Sequence, residues 1–295
     1  MRPLAIIPTL CCAAALILSF LCLFAGHKAG FMEGYHLVTL NTSMIGENII
    51  NETRSTDTGS SLTDLLNSFK NTGGSIINDA IGKVTEEIGI EDFYSAHMLN
   101  YCEGQYTPAE AANNTVKQSE IHKNVTECSK SHAMYKFDPT AIIQEALNKT
   151  GVSVTLADLN WPDDIETGIK TLNALMGAMF VLYCVAIALI FVATLAAVAA
   201  ILLSGRLSAC VNFLVAILAF LAIGLASALV TAVMVKATNI INDKGSEIGL
   251  QAKRGNKFLA LTWVATGLMF AVVLTWVVEF FLGRRPKKTV YAKHG

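Results

Sequence analysis

The sequence predicts a mainly α-helical membrane protein, a bundle of four transmembrane helices that carries a large mixed α/β domain between helices 1 and 2. Three observations predict it. Of the 295 residues, 53% are hydrophobic and only 15% charged, outside the balance of a water-soluble domain. Four apolar runs are each long enough to cross a hydrocarbon core of ~30 Å. Between the first two lies a long polar stretch, and all five Asn-x-Ser/Thr sequons of the chain fall inside it.

Residues 1–25 form the N-terminus and first span. The uncharged run from Leu4 to Ala25 covers about 22 residues, roughly 33 Å at 1.5 Å per residue. That length, and the poor fit of Leu23 and Ala25 to a small-x-small cleavage site, mark an uncleaved anchor rather than a signal peptide. Three further spans are expected at 172–203, 209–235 and 258–282, since a charge at mid-bilayer costs about 2.5–3.5 kcal/mol and their centres carry none. Residues 204–208 form a short turn, 236–257 a second loop and 283–295 a basic tail.

Residues 26–171 have the length of one ordinary domain. Tyr35 to Asn41 is rich in β-branched and aromatic residues and predicts a strand. From Asn48 to Ser61 there is almost no apolar periodicity, which predicts a surface loop. Leu62, Leu65, Leu66 and Phe69, then Ile76, Ile77, Ile81, Val84 and Ile88, recur at helical spacing on either side of a Gly-Gly break. Two amphipathic helices are expected there. A third follows Asp138-Pro139, with Asp138 or Thr140 as its cap, and a fourth runs from Asp163 and Asp164 straight into the second span.

Orientation follows from the sequons at Asn41, Asn51, Asn113, Asn124 and Asn148, because glycosylation happens only on the lumenal side. The domain at 26–171 is therefore expected outside, the protein at the plasma membrane, and both termini in the cytoplasm. The tail, with Arg284, Arg285, Lys287 and Lys288, obeys the positive-inside rule, whereas Lys236, Lys244, Lys253, Arg254 and Lys257 run against it. Of seven cysteines, five lie in apolar runs; Cys102 and Cys128 are left as a pair in an oxidising compartment, where a disulfide is expected.

The motifs of chemistry are missing. No H-E-x-x-H, G-x-S-x-G, Walker or dinucleotide-binding spacing occurs, and His97, His122 and His132 lack metal-ligand spacing. No enzyme, cofactor or metal is expected. A net charge of −1 and the lack of a basic stripe exclude nucleic acid as a partner. Transport is not supported either, because ionisable groups at membrane depth are missing apart from Glu279 at the end of the fourth run. Small residues four apart, Ala196 and Ala200, Gly224 and Ala228, Gly267 and Ala271, suit close packing between the helices of one bundle. The expected partners are membrane lipids. For the four tail cations, each worth about 1 kcal/mol at an anionic leaflet, phosphoinositide contact and a plain topology anchor stand as equal readings.

The order of these parts resembles a known family. A span, a strand, a sequon-bearing loop with Asp92-Phe93-Tyr94 and Leu99-Asn100-Tyr101-Cys102-Glu103-Gly104, a second cysteine at Cys128, Phe137-Asp138-Pro139 and three closely spaced spans are similar to the fungal Sur-seven/PalI family. The resemblance implies a claudin-like four-helix bundle with Cys102 and Cys128 as the bridged pair. It departs from claudins in having Met98-Leu99-Asn100-Tyr101 where those carry Gly-Leu-Trp, so a paracellular seal is not implied. What it does imply is a cortical plasma-membrane organiser associated with eisosome-type furrows, wall assembly, endocytosis and stress tolerance, in the company of other cortical membrane proteins or of its own copies. The alternative within the family is a PalI-like subunit of ambient-pH signalling.

Overall fold

The computed structural model describes residues 5–45, 89–107, 121–150, 155–157, 164–202 and 206–282. The expected loop at Asn48–Ser61, the two amphipathic helices up to Ile88, the sequons at Asn51 and Asn113 and the whole basic tail lie outside the described residues.

In chain order the elements are α1 (Ile6–Phe24), β1 (Val38–Asn41), β2 (Phe93–Ala96), β3 (Tyr101–Thr107), β4 (His122–Cys128), α2 (Pro139–Thr150), α3 (Asp164–Leu202), α4 (Arg206–Gly245), β5 (Gln251–Arg254) and α5 (Asn256–Leu282). Four of the helices, α1, α3, α4 and α5, are long and apolar enough to cross a membrane. The chain divides into two compact units.

The first unit comprises 1–21, 182–227 and 261–295. It holds most of α1 and α5 and the apolar halves of α3 and α4 at 182–202 and 206–227, and large side chains such as Leu10, Phe191, Leu218 and Phe270 are exposed on them, as expected of surfaces that face lipid. Small residues line the buried seams: Ala186, Ala193, Ala197 and Ala200 on α3, Ala216, Ala219 and Ala226 on α4, Ala265 on α5. With no hydrophobic drive between helices in lipid, close backbone approach supplies the dispersion energy instead. A Cβ on Gly224 would lie 3.8 Å from Thr266 Cγ2, so that glycine is at a helix contact. Gly267 is not, since it is exposed with open space around it.

The second unit, 22–181 and 228–260, holds a five-stranded antiparallel sheet of order β4-β3-β2-β1-β5. The strand expected near Tyr35–Asn41 is β1, shortened at its start. Its partners come from far along the chain: Val38 faces Ala96 of β2 and Arg254 of β5. The β5 partner is unexpected. The segment at 236–257 is not a plain loop, because α4 continues ten residues past Val235 to Gly245 before the chain turns into β5. The β1–β5 approach is close enough to demand glycine. A Cβ on Gly255 would sit 1.6 Å from the His36 carbonyl oxygen, and one on Gly249, whose φ is +80°, 1.9 Å from that of Met44.

Two expected helix starts are as read from the sequence. Asp138 Oδ1 accepts a hydrogen bond from the Ala141 N–H at 3.1 Å, an N-cap for α2. Helix α3 runs unbroken from Asp164 through the second span, 39 residues or roughly 58 Å.

Candidate functional site

Within the sheet unit, Cys102 on β3 faces Cys128 on β4 in register, and the two are bridged with their Cα atoms 4.0 Å apart. The expected disulfide is present. Two residues along, the register slips between Glu103 and Gly104, where β4 comes so near that a Cβ on Gly104 would lie 2.1 Å from the Asn124 carbonyl oxygen.

The tip of the β2–β3 hairpin grips the chain just after α1. Gly26, with φ +70°, follows the end of that helix and donates its N–H to the Phe31 carbonyl at 3.0 Å. Asn100, fully buried, donates through Nδ2 to the carbonyls of Gly26 at 2.9 Å and Ser129 at 3.2 Å. Ser131 Oγ donates to the His27 carbonyl at 3.1 Å. His97 fills the remaining space against Gly26, where any side chain would strike its ring at 2.2 Å.

His97 is 1% exposed, and neither ring nitrogen meets hydrogen-bond geometry, though the carbonyls of Tyr35 and Ala25 lie near enough to favour its proton. Burial, then Lys123, lowers its pKa to about 4 despite them. His36 stands edge-on, 6.4 Å away between centroids. Its pKa is lowered to about 3 by burial first, then by Lys123, His97 and Lys257, against the Glu33 carbonyl. The pair is thus neutral at ordinary pH. His97, which lacks metal-ligand spacing in the sequence, is a structural histidine of the domain interior.

A second cluster is acidic. Glu103 lies opposite Glu127 across β3 and β4. Burial, then Glu91, raises the Glu103 pKa to about 6, with Lys149 opposing and Glu127 and Glu145 adding to the rise. Glu91 is raised too, by burial above all. Among the described residues no group of three His, Cys, Asp or Glu side chains is placed to hold a metal ion. An apolar cavity of about 20 Å³, lined by Leu37, Val38, Ala96, Phe137, Met176 and Met234 among others, has room for little more than one water and offers it no polar partner.

The helical unit contains a polar feature that hydropathy hides. Tyr183 of α3 meets Thr262 of α5 at 2.6 Å between hydroxyl oxygens; Ser227 of α4 meets Thr262 at 2.6 Å and Thr266 at 2.8 Å. Tyr183, Ser227 and Thr262 are fully buried. Thr266 donates to the Thr262 carbonyl at 3.0 Å and Ser227 to that of Ile223 at 2.8 Å, so the chain of hydroxyls ends on backbone acceptors. It joins three of the long apolar helices. The only sequence signal is Ser or Thr inside an apolar run, which a hydropathy window averages away.

The three described sequons are in different environments. Asn41 is 3% exposed at the end of β1, and its Oδ1 accepts from the Ser43 N–H at 3.1 Å and the Ser43 hydroxyl at 2.7 Å. Asn124 is exposed on β4, and Asn148 is exposed on α2. Glu279 is half-buried near the end of α5.

Four long apolar helices, with a disulfide-stapled sheet built mainly from the stretch between the first two and completed by β5, define a multi-pass membrane protein. The chain belongs to the SUR7/PalI family, whose model matches residues 4–275, nearly its whole length. No curated protein and no solved structure matches it.

Proposed function

We propose that the protein is a non-enzymatic organiser of the plasma membrane at the fungal cell cortex, of the eisosome-associated kind, supporting wall assembly, endocytosis and stress tolerance. The observation that carries this reading is the family match from the first span through the sheet domain and into the fourth span. The build of the sheet unit supports it. Its strands come from two separated stretches of chain, a disulfide crosses β3 and β4, and the hairpin tip is bonded to the residues that follow α1. Such cross-ties suit a fixed surface held at a membrane better than a cleft that must open and close. In this reading the sheet domain faces outward, both termini lie in the cytoplasm, and Arg284, Arg285, Lys287 and Lys288 contact phosphoinositides. Other cortical membrane proteins, or further copies of the chain, are its protein partners.

Live imaging of a fluorescently tagged chain is the test. Static cortical patches are expected, and changing the four tail cations together to Gln should disperse them without altering glycosylation. An even rim for the parent chain would refute the organiser; patches that survive in the quadruple variant would move recruitment away from the tail. A second reading, a PalI-like subunit of ambient-pH signalling, draws support from Glu103, which faces Glu127 across β3 and β4 and whose pKa burial and Glu91 raise to about 6. A deletion strain with failed pH signalling and normal patches would put that reading first.

A further inference from the structure

We infer that Asn124 carries an N-linked oligosaccharide that closes the open edge of the sheet, while the sequon at Asn41 stays bare. The inference rests on the outward orientation proposed above. A five-stranded sheet has two edges, and a bare edge strand templates pairing with another chain.

The β5 edge is closed from within the protein. Ala252 N–H donates to Asn242 Oδ1 at 2.6 Å, and Asn242 Nδ2 donates to the Ala252 carbonyl at 3.2 Å, so one side-chain amide takes the place of a residue of a sixth strand. Arg254 adds bonds from Nε to Thr238 Oγ1 at 3.0 Å and from its guanidinium to Asn239 Oδ1 at 3.1 Å. All of these partners lie on the extension of α4 beyond its apolar run.

Among the described residues the β4 edge has no such cover. Strand β4 pairs there with β3 alone, and no residue along it is buried. Natural edges are guarded by charge, proline, bulges or bulk, and β4 has only the register slip opposite Gly104 and Glu127 beside it near one end. The cation best placed to guard this one is turned inward: Lys123 Nζ donates to Thr39 Oγ1 at 2.9 Å and stands 5.1 Å from the centroid of the Phe93 ring. The neighbouring Asn124 points to the opposite face by strand alternation, is exposed, and opens the triplet Asn124-Val125-Thr126. A hydrated, branched sugar at mid-strand leaves no room for a second strand to lie alongside. Asn41 differs in each respect. Strand β1 lies inside the sheet between β2 and β5, and the Asn41 side chain is buried and bonded to Ser43, so a glycan there cannot coexist with the fold.

Site occupancy in the full-length protein, read by peptide mass spectrometry with and without glycosidase, is the first arm. Asn124 and Asn148 are expected to be occupied and Asn41 bare. Asn124 bare with any other sequon occupied would overturn the inference and leave the orientation standing, whereas all five bare would sink the orientation and the inference with it. Glycan on Asn41 would overturn the selectivity. The second arm compares Asn124→Gln with Asn148→Gln in detergent, scoring the cross-linkable self-associated fraction. A several-fold excess for Asn124→Gln is expected, with Asn124→Lys returning it to the parent level by placing a charge on the edge. Native deglycosylation of the folded parent should produce the same excess without any question of misfolding. Equal fractions for the two Gln variants together with no rise on native deglycosylation, or no rescue by Lys, would overturn the edge-guarding role.

Discussion

Acidification from pH 6.5 to 4 should weaken the sheet domain, through the His97 ring and its neighbour His36. Unfolded, the imidazole takes a proton near pH 6.5; folded, its pKa is lowered to about 4. A folded value below the unfolded one means that the unfolded chain binds the proton first. The stability His97 contributes as a neutral ring is therefore complete above pH 6.5 and falls as pH drops towards 4. At about 1.4 kcal/mol per pH unit, 2.5 units set an upper bound of roughly 3.5 kcal/mol, of which about 3 kcal/mol is lost by pH 4. His36 acts in the same direction, and since it interacts with His97 directly the two do not add. Glu103 opposes them. Its folded pKa, raised to about 6 from 4.5, makes protonation across that window stabilising, by about 1 kcal/mol after discounting for its partial exposure. The net expectation is a loss of about 2 kcal/mol at pH 4 relative to pH 7. Urea unfolding of the detergent-solubilised protein, followed by near-UV circular dichroism of the Tyr94, Tyr101 and Tyr135 ring cluster, would measure it. His97→Gln should flatten the pH dependence, and Glu103→Gln should steepen it below pH 6. If parent and His97→Gln lose stability in parallel, the buried neutral ring is not the cause and the reasoning is wrong.

Three further outcomes follow from contacts already described. Cys102→Ser should destabilise the sheet domain by about 2–5 kcal/mol and expose a Cys128 thiol to alkylation, because the bridge spans 26 positions of sequence. Gly255→Ala should cost about 3 kcal/mol or more, since its Cβ meets the His36 backbone rather than a side chain that can move away; protease sensitivity in 245–255 with the spans intact would report β5 leaving β1. In the helical unit, Tyr183→Phe removes one hydroxyl contact and should cost about 1 kcal/mol, Thr262→Val removes the shared centre and should cost more, and a double-mutant cycle in detergent unfolding should show the two strongly coupled.

Sequence alone determined the features that depend on local chemistry. Four spans follow from the length of the apolar runs, the α2 start from Asp138 three residues ahead of a free N–H, the continuity of α3 from an unbroken helical pattern, and the Cys102–Cys128 pair from the lack of other polar cysteines in its stretch. Tertiary structure alone decided what depends on pairing over long separations. Gln251 to Arg254 has no alternation to mark it as a strand; it becomes one because β1, more than 200 residues earlier, offers it a partner. Asn41, Asn124 and Asn148 open triplets of the same Asn-x-Ser/Thr pattern, yet one is buried inside the sheet, one stands on its edge strand and one on a helix surface. Tyr183, Ser227, Thr262 and Thr266 disappear in an average over apolar windows, because hydropathy sums composition and cannot see which faces of three helices meet. Burial and register are set by the fold as a whole, so no window of sequence around any of these residues could contain them.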